Sequence, residues 1–567
     1  MFLALELCLA AICLSVAYTH PFGDGFFRRI EIRVAAFARR RKLAVLVTGL
    51  AALSIRLALL PILPIPAPAI HDEYSHLLLA DTLAHGRLSN PTHPMWIHFE
   101  TFHVNWQPTY ASMYFPGQGL FLALGQVLLG HPFWGVWLST GLLCAAICWA
   151  LQGWMPPAWA FVGGLLAVIR LGTFSYWTNS YLGGAVAALG GALVLGAYPR
   201  IKQEMKVFNS ILLGLGMVAL ALSRPYEGFF FCLPVITGLA VWAWKHSSVP
   251  LTTTLKRVAL PAVMILVLGL AWLGYYFWRV TGNPFTTAYQ VNIRTYGLVY
   301  FPWEKIKQVA PFHHQAMERF YRGSGPVVDR LHYALQHPVA LQGEKVLIVW
   351  LFYFGPLLTI PWLVWINTYR KKWWRNINPT IRFFLIIVAV TYVSLALTIY
   401  IGQPHYAAPM TAPFYAATLL VLRDLRTTAS GRSLGRSTIL MCSFLVLPAI
   451  AVSAFHSGLE AGPMRNWCSA PVQNLRRAQI LNQLERISGK HVVIVHYEPG
   501  HDFIHDEWVY NEADIDEAKV VWARDMGSKN SELLDYFNNR KAWFLEPDIR
   551  PARLTAYANK LAETQAR

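Results

Sequence analysis

A chain of 567 residues that is 55% hydrophobic and only 14% charged departs from soluble proteins, which carry roughly 25% charged residues. Its net charge of +18 would suggest nucleic acid on a soluble chain. On so apolar a chain it reads instead as Lys and Arg in the short loops on one side of a membrane, and no nucleic-acid partner is expected. The 22 Trp, 25 Tyr and 31 Phe suit two interfacial aromatic belts. The seven Cys (8, 13, 144, 148, 232, 442 and 468) have the spacing of neither a disulfide framework nor a zinc site, and read as buried small hydrophobes.

A membrane-spanning helix needs about 20 mostly apolar residues. The chain offers such segments near 43–63, 134–152, 157–173, 181–198, 208–223, 226–244, 258–279, 344–367, 380–401, 405–423 and 437–456, with a further one at 2–18. The 2–18 segment lacks a basic lead and a small-residue cleavage site, so it reads as an uncleaved helix. The basic loops 26–42, 199–206, 244–257, 369–375 and 423–436 all fall on one side, which the positive-inside rule makes cytoplasmic. The loop at 152–157 shares that side without any charge. The expected layout is an N-terminal helix and basic segment over 1–42, a transmembrane unit over 43–457, and an outer C-terminal domain over 458–567.

The other side receives the loop 64–133, the turns "SYWTNSYLGG" (175–184) and "SRPYEG" (223–228), the loop 280–342 and the C-terminal domain. In that domain 491–497, 519–524 and 541–546 read as strands and 530–540 as a helix, which suggests a small α/β layer. Its stretch 501–517 is dense in acid and reads as a solvated face, with acceptor or cation binding as the alternative. "GGAVAALGGALVLG" (183–196) has the small-residue spacing of closely packed helices. It lacks the strand-turn-helix context of a nucleotide loop.

The loop 64–133 carries the densest polar chemistry. Only five charged residues lie between Leu57 and Val168, and two are the adjacent Asp72 and Glu73. The stretch 71–84 has no Pro or Gly, and Gly86 can end it, so a helix is expected there. Its acids suit the helix dipole as simple capping residues. Tyr74, Leu77, Leu78 and Leu83 form an apolar side for a helix lying flat in the interface. Asp72, Ser75 and His76 share the opposite face. The segment 114–130 is too short to span and reads as a second in-plane helix. His98, Glu100 and His103 lack standard ligand spacing, so no metal or other cofactor is expected.

The acidic pair after the first core span, the in-plane helix ending at Gly86, and the aromatic-Pro-x-x-x-Leu helix start (Phe115, Pro116, Leu120) together resemble the GT-C membrane glycosyltransferases. The similarity is greatest to family 39 and the bacterial transferases that use polyprenyl-phosphate sugars. The resemblance covers roughly 43–430. It implies an all-α polytopic membrane protein of about 11–12 transmembrane helices, with in-plane periplasmic helices and a small C-terminal α/β domain. It also implies a bacterial inner-membrane enzyme with its site on the periplasmic face. The presumed catalytic base of the family falls on Asp72, with Glu73 as its neighbour. Where the family often has a second acid, this chain has Asn179, beside Trp177.

The implied reaction moves one sugar, with inversion, from a polyprenyl-phosphate donor to a glycolipid, glycan or protein hydroxyl. A base must take the hydroxyl proton, and a cation must hold the leaving phosphate. Arg224, Arg294 and His405 are the candidates for that second task. Arg suits phosphate through its planar fork. Tyr226 and Glu227 accompany Arg224, and Tyr289 can stack on a sugar. The rival reading is a transporter or lipid flippase, which would place ionisable residues at mid-helix.

Overall fold

The computed structural model describes residues 2–19, 24–245, 250–306, 309–322, 326–369, 377–400, 402–455, 473–503 and 506–558. The boundary expected at 458, Cys468 and the basic residues 371–375 lie outside them. The molecule is an α-helical bundle with a small four-stranded sheet near its C-terminus. Among the described residues five helices are long and apolar enough to cross a membrane, and a bent pair adds a sixth.

Every expected span has a helical counterpart, but several are broken for local reasons. The first core helix, Arg41–Ala58, stops short of 63 because Pro61, Pro64, Pro66 and Pro68 remove donors and fix φ. The segment 344–367 is not one straight helix. Pro338–Tyr353 and Gly355–Tyr369 meet at Phe354, where the pair bends by 99°. Gly355 sits at φ 57°, and a Cβ there would lie 2.5 Å from Glu6 Oε1. The segment 405–423 begins as a 3-10 turn, Pro404–Met410, before Thr411–Leu425.

Helix Phe2–Thr19 packs on Gly355–Tyr369 and Ala429–Phe444. It brings buried Glu6 to 3.6 Å from buried Arg170. Charges inside a bilayer persist when paired, and Glu6 is the partner that sequence spacing did not reveal. Arg56 is likewise buried, donating to the carbonyls of Leu63 and Pro64. The Gly-rich stretch performs as its spacing implies: a Cβ at Gly190 would lie 2.9 Å from Gly216 O, and one at Gly191 2.3 Å from Pro409 O. Backbones there touch directly, which only small residues permit.

In the loop 64–133, His71–Ala84 and Pro116–Leu129 are each about 21 Å long, too short for a bilayer core of about 30 Å. They pack against each other. Between them runs a hairpin, β1 (Val104–Asn105) with β2 (Ala111–Ser112). Leu124, Val127, Leu128 and Leu129 stay exposed at the end of the second helix, as an interfacial helix requires.

The C-terminal sheet has the order β4 (Val520–Arg524), β3 (His491–Val495), β5 (Lys541–Glu546), β6 (Arg553–Ala556). β3 runs parallel to both neighbours, while β6 is antiparallel to β5. Every residue of β3 is buried, as a central parallel strand demands. Helix Leu475–Arg486 and β6 add to the expected elements, and the expected helix 530–540 ends at Tyr536.

One expectation about the loop 64–133 changes. The apolar side of His71–Ala84 does not simply face lipid: Tyr74 stacks on Tyr510 with ring centroids 4.4 Å apart, and Leu78 joins the same buried cluster. The acidic stretch 501–517 is largely the solvated face expected, with Asp502, Glu512, Asp514, Asp516 and Glu517 exposed, while its buried residues 507–510 form a docking strip toward the loop 64–133. Glu507 is buried, with Oε1 accepting from Trp508 N, Val509 N and the Tyr497 hydroxyl and Oε2 accepting from Arg524 at 2.7 Å. Arg524 also donates to Glu100 O at 2.7 Å. Asp514 faces Arg87, and Asp516 faces His93.

Removing one partner of a buried pair strands the other charge, at roughly 3–5 kcal/mol. Arg524→Met therefore lowers unfolding stability by about that amount in chemical denaturation of the purified chain. Arg524→Met with Glu507→Gln recovers much of the loss, since Gln keeps the Oε1 acceptor. A single variant as stable as wild type contradicts the pairing.

Candidate functional site

The first turn of His71–Ala84 separates the two acids, because successive helix residues point about 100° apart. Glu73 turns inward. Its Oε2 accepts from the N–H groups of Ala69 (3.0 Å) and Ile70 (3.2 Å), and its Oε1 from Tyr181 N at 3.0 Å. It caps its own helix and ties it to the turn 175–184. The capping expectation thus describes Glu73. Burial raises its pKa from 4.5 to about 7, against the three N–H groups, with Asp72 adding to the rise.

Asp72 turns the other way. Its side chain stays 29% exposed. Oδ1 lies 2.6 Å from His103 Nδ1 and accepts a short hydrogen bond from the Tyr114 hydroxyl. His71 Nε2 is 3.8 Å away. Burial acts to raise the Asp72 pKa, but His103, through its charge and its hydrogen bond, outweighs it, with His71 and Tyr114 adding. The carboxyl is held well below the usual carboxylate range. Tyr114 keeps its proton: burial, then the Asp72 charge, pushes its pKa well above 10. His103 is brought in by an unusual backbone. Its φ is +59°, a left-handed conformation costly for a side chain with a Cβ. Its carbonyl accepts from Ser75 Oγ at 2.7 Å.

His76, one turn on, stacks on Tyr114 at 4.4 Å. Burial lowers its pKa to about 3, with Asp72 opposing and Arg224 assisting, so it is a neutral imidazole. His76 and Tyr114 form one wall of a cavity of about 430 Å³, within the usual size of small-molecule sites. Arg224, Tyr226, Glu227 and Tyr289 line it too, with Leu182, Val186 and Leu395 among its apolar groups. Arg224 lies over the Tyr406 ring at 4.4 Å and 3.9 Å from Glu227 Oε1. Tyr406 feels the charges of both Arg224 and Asp72, and Asp72 meets the cavity through Tyr114, which lines it.

Four other expected residues lie elsewhere. His405 is buried and held by the Tyr176 hydroxyl at 2.9 Å. Asn179 donates to the carbonyls of Thr173 and Ser175 and closes its turn. Trp177 is buried over Gly184, where a Cβ would lie 2.4 Å from the indole. Arg294 is exposed at the end of Ala288–Tyr296 and does not line the cavity. Conversely, His103 and Tyr114 reach Asp72 from 31 and 42 residues away, a closure that sequence spacing does not encode.

Two acid–histidine groupings bear on metal binding. The ligand atoms of His71, Asp72 and His103 lie within 4.8 Å of one another, close enough to share one cation. The direct His103–Asp72 hydrogen bond accounts for the same proximity. Glu100 meets His313 at 3.1 Å and the Tyr296 hydroxyl at 3.0 Å. His98 is not part of that group.

No family model matches the sequence, and no curated protein matches it. The fold is similar to solved structures at low identity. The apo oligosaccharyltransferase of Archaeoglobus fulgidus matches at 12% identity and a TM-score of 0.46, over 89% of this chain and 69% of that one. Apo ArnT from Cupriavidus metallidurans matches at 12% and 0.49, over 87% and 92%. The same ArnT bound to undecaprenyl phosphate matches at 14% and 0.48, over 92% and 93%.

The raised pKa of Glu73 makes stability depend on pH with a defined sign. A carboxyl whose pKa is higher folded than unfolded stabilises fully below about 4.5, and that contribution is lost as pH rises through about 7. Between pH 5 and 8 the chain loses roughly 2–3 kcal/mol from this group. Glu73→Gln is less stable at pH 5 but much flatter across the range, as followed by thermal unfolding. An equally steep slope in the variant would assign the dependence to another group.

Proposed function

We propose that this chain is a membrane glycosyltransferase that moves one sugar from a polyprenyl-phosphate donor to an acceptor hydroxyl at the outer, periplasmic face. The observation that carries the reading is the ionised Asp72, bonded to His103 and to Tyr114, which lines a cavity that also holds the Arg224–Glu227 pair. An amphiphilic donor needs that combination: a cation for the phosphate and an apolar wall for the first isoprene units. Acceptor oxygen attacks the anomeric carbon, forming the new glycosidic bond as the bond to the phosphate oxygen breaks. The acceptor proton passes to Asp72 or through it to its partners. Polyprenyl phosphate leaves as an anion toward Arg224, and a single displacement inverts the anomeric carbon. The ionisable groups of the site gather at the outer end of the bundle, whereas the buried charges Glu6 and Arg170 neutralise each other. That distribution supports surface chemistry over transport.

Proton transfer is most efficient when the pKa of the base lies near the working pH, as that of an imidazole ordinarily does. The Asp72–His103 hydrogen bond therefore supports a second division of labour. Asp72 orients the imidazole through Nδ1, and Nε2 takes the proton, as in an acid–histidine pair of the hydrolase type.

Asp72→Asn abolishes transfer, by roughly 10³-fold or more, in an assay with purified protein, undecaprenyl-phosphate sugars and a hydroxyl acceptor. His103→Ala separates the two divisions: a loss equal to that of Asp72→Asn assigns the proton to His103, and a tenfold or smaller loss assigns it to Asp72. Transfer persists after chelation in both cases. Activity lost to chelation and restored by a divalent ion would make His71, Asp72 and His103 cation ligands instead. Full activity in Asp72→Asn would remove the proposed site.

Arg224→Ala raises the donor KM and lowers kcat/KM by roughly 10–100-fold, the worth of one charge-assisted phosphate contact, with the acceptor KM little changed. Unaltered donor kinetics would place the phosphate elsewhere.

A further inference from the structure

At the end of the bundle opposite Asp72, helix Asp24–Ala38 carries Arg28, Arg29 and Arg33 and leaves Phe26, Ile30 and Ile32 exposed. A basic helix with exposed apolar groups lies in a membrane interface. Between it and the ends of Pro157–Arg170, Thr411–Leu425 and Ala429–Phe444 is a cavity of about 560 Å³. Its wall is largely apolar, with Val34, Val162, Leu422 and Ile439, and its charged lining is four arginines, 28, 426, 432 and 436, against the single acid Glu31.

The acid is already committed. Glu31 accepts from Arg426 at 2.5 Å and from Arg436 Nε at 3.0 Å. Among the described residues Arg28 contacts no acid, and Arg432 makes only a 3.4 Å contact to the Arg426 carbonyl. Two guanidinium groups thus remain uncompensated at the mouth of an apolar slot. Guanidinium is the side chain best matched to phosphate oxygens, and basic pockets between membrane helices take anionic headgroups.

We infer that this groove is a binding site for an anionic glycerophospholipid of the surrounding leaflet, with its headgroup phosphate on Arg28 and Arg432 and one acyl chain along the apolar wall. The arginine excess selects against zwitterionic lipids, whose own cation would meet the same field. The slot adjoins a helix that already lies at the bilayer surface, so the ligand is the molecule present there at highest concentration. This site shares no residue with the cavity at Asp72, and its test is independent of glycosyl transfer.

The full chain, purified and delipidated, is titrated separately with phosphatidylglycerol, phosphatidylethanolamine and undecaprenyl phosphate, and bound lipid is counted by native mass spectrometry. Phosphatidylglycerol is retained about tenfold or more over phosphatidylethanolamine, and Arg28→Gln with Arg432→Gln removes that preference, as expected for two interfacial arginines. Gly435→Leu is the second variant. A Cβ at Gly435 meets only Leu422 Cδ2, at 3.8 Å, so the new side chain fills the slot without changing charge, and it reduces phosphatidylglycerol retention by a comparable factor. The folded fraction of each variant is read from its elution profile, and whichever elutes as wild type decides. Equal retention of the two phospholipids, retention unchanged in a folded variant, or undecaprenyl phosphate displacing phosphatidylglycerol would each overturn the assignment.

Discussion

The end of the molecule that carries the C-terminal sheet depends on the first turn of His71–Ala84, where two adjacent carboxylates are driven to opposite fates. Glu73 is satisfied by three backbone N–H groups from its own turn and from Tyr181. That fixes the rotation of the helix against the bundle. Once it is fixed, Asp72 must face away, toward His103 and Tyr114. The inner acid is a structural clamp, and the outer one is kept ionised and partly exposed. Ser75 adds a second tie, bonding His103 O and Ser112 Oγ, so the hairpin that presents His103 cannot drift from the helix that presents Asp72.

The C-terminal sheet extends the same logic. It reaches the loop 64–133 through Arg524 on Glu100 O, Tyr510 on Phe102 O and Ala513 N on the Asp81 carboxylate. Arg477 lies between the Tyr74 and Trp522 rings and donates to two carbonyls of the docking strip. These contacts hold the segment 100–103 from the side opposite the membrane. The positive φ of His103 is strain that such surroundings can maintain. A loop pinned by a helix on one side and a sheet on the other keeps His103 against Asp72.

Charge is sorted along the bundle. One end collects arginines around a lipid-sized groove, and the other collects carboxylates, imidazoles and a single cavity-lining Arg. Between them the buried charges are neutralised in place: Glu6 with Arg170, and Arg56 on two carbonyls. A low-dielectric interior permits little else.

The order of the helices, the helix that carries Asp72 and the strands of the C-terminal unit were legible from the sequence by itself. Apolar length, Pro and Gly punctuation and the bias of Lys and Arg are local quantities, and local free energies decide them. The in-plane helix at 71–84 was readable for the same reason. What the acids do was not, because spacing treats Asp72 and Glu73 alike until Tyr181, His103 and Tyr114 arrive from distant segments. The buried members of the strip 501–517 were not legible because their partners, Arg524 for Glu507 and Phe102 for Tyr510, lie across the sheet or far away along the chain. Arg224 lines the cavity, yet Arg294, equally basic and also at a helix end, does not. Only the tertiary structure could separate them, since pairing between groups hundreds of residues apart is set by packing and leaves no periodicity in the chain.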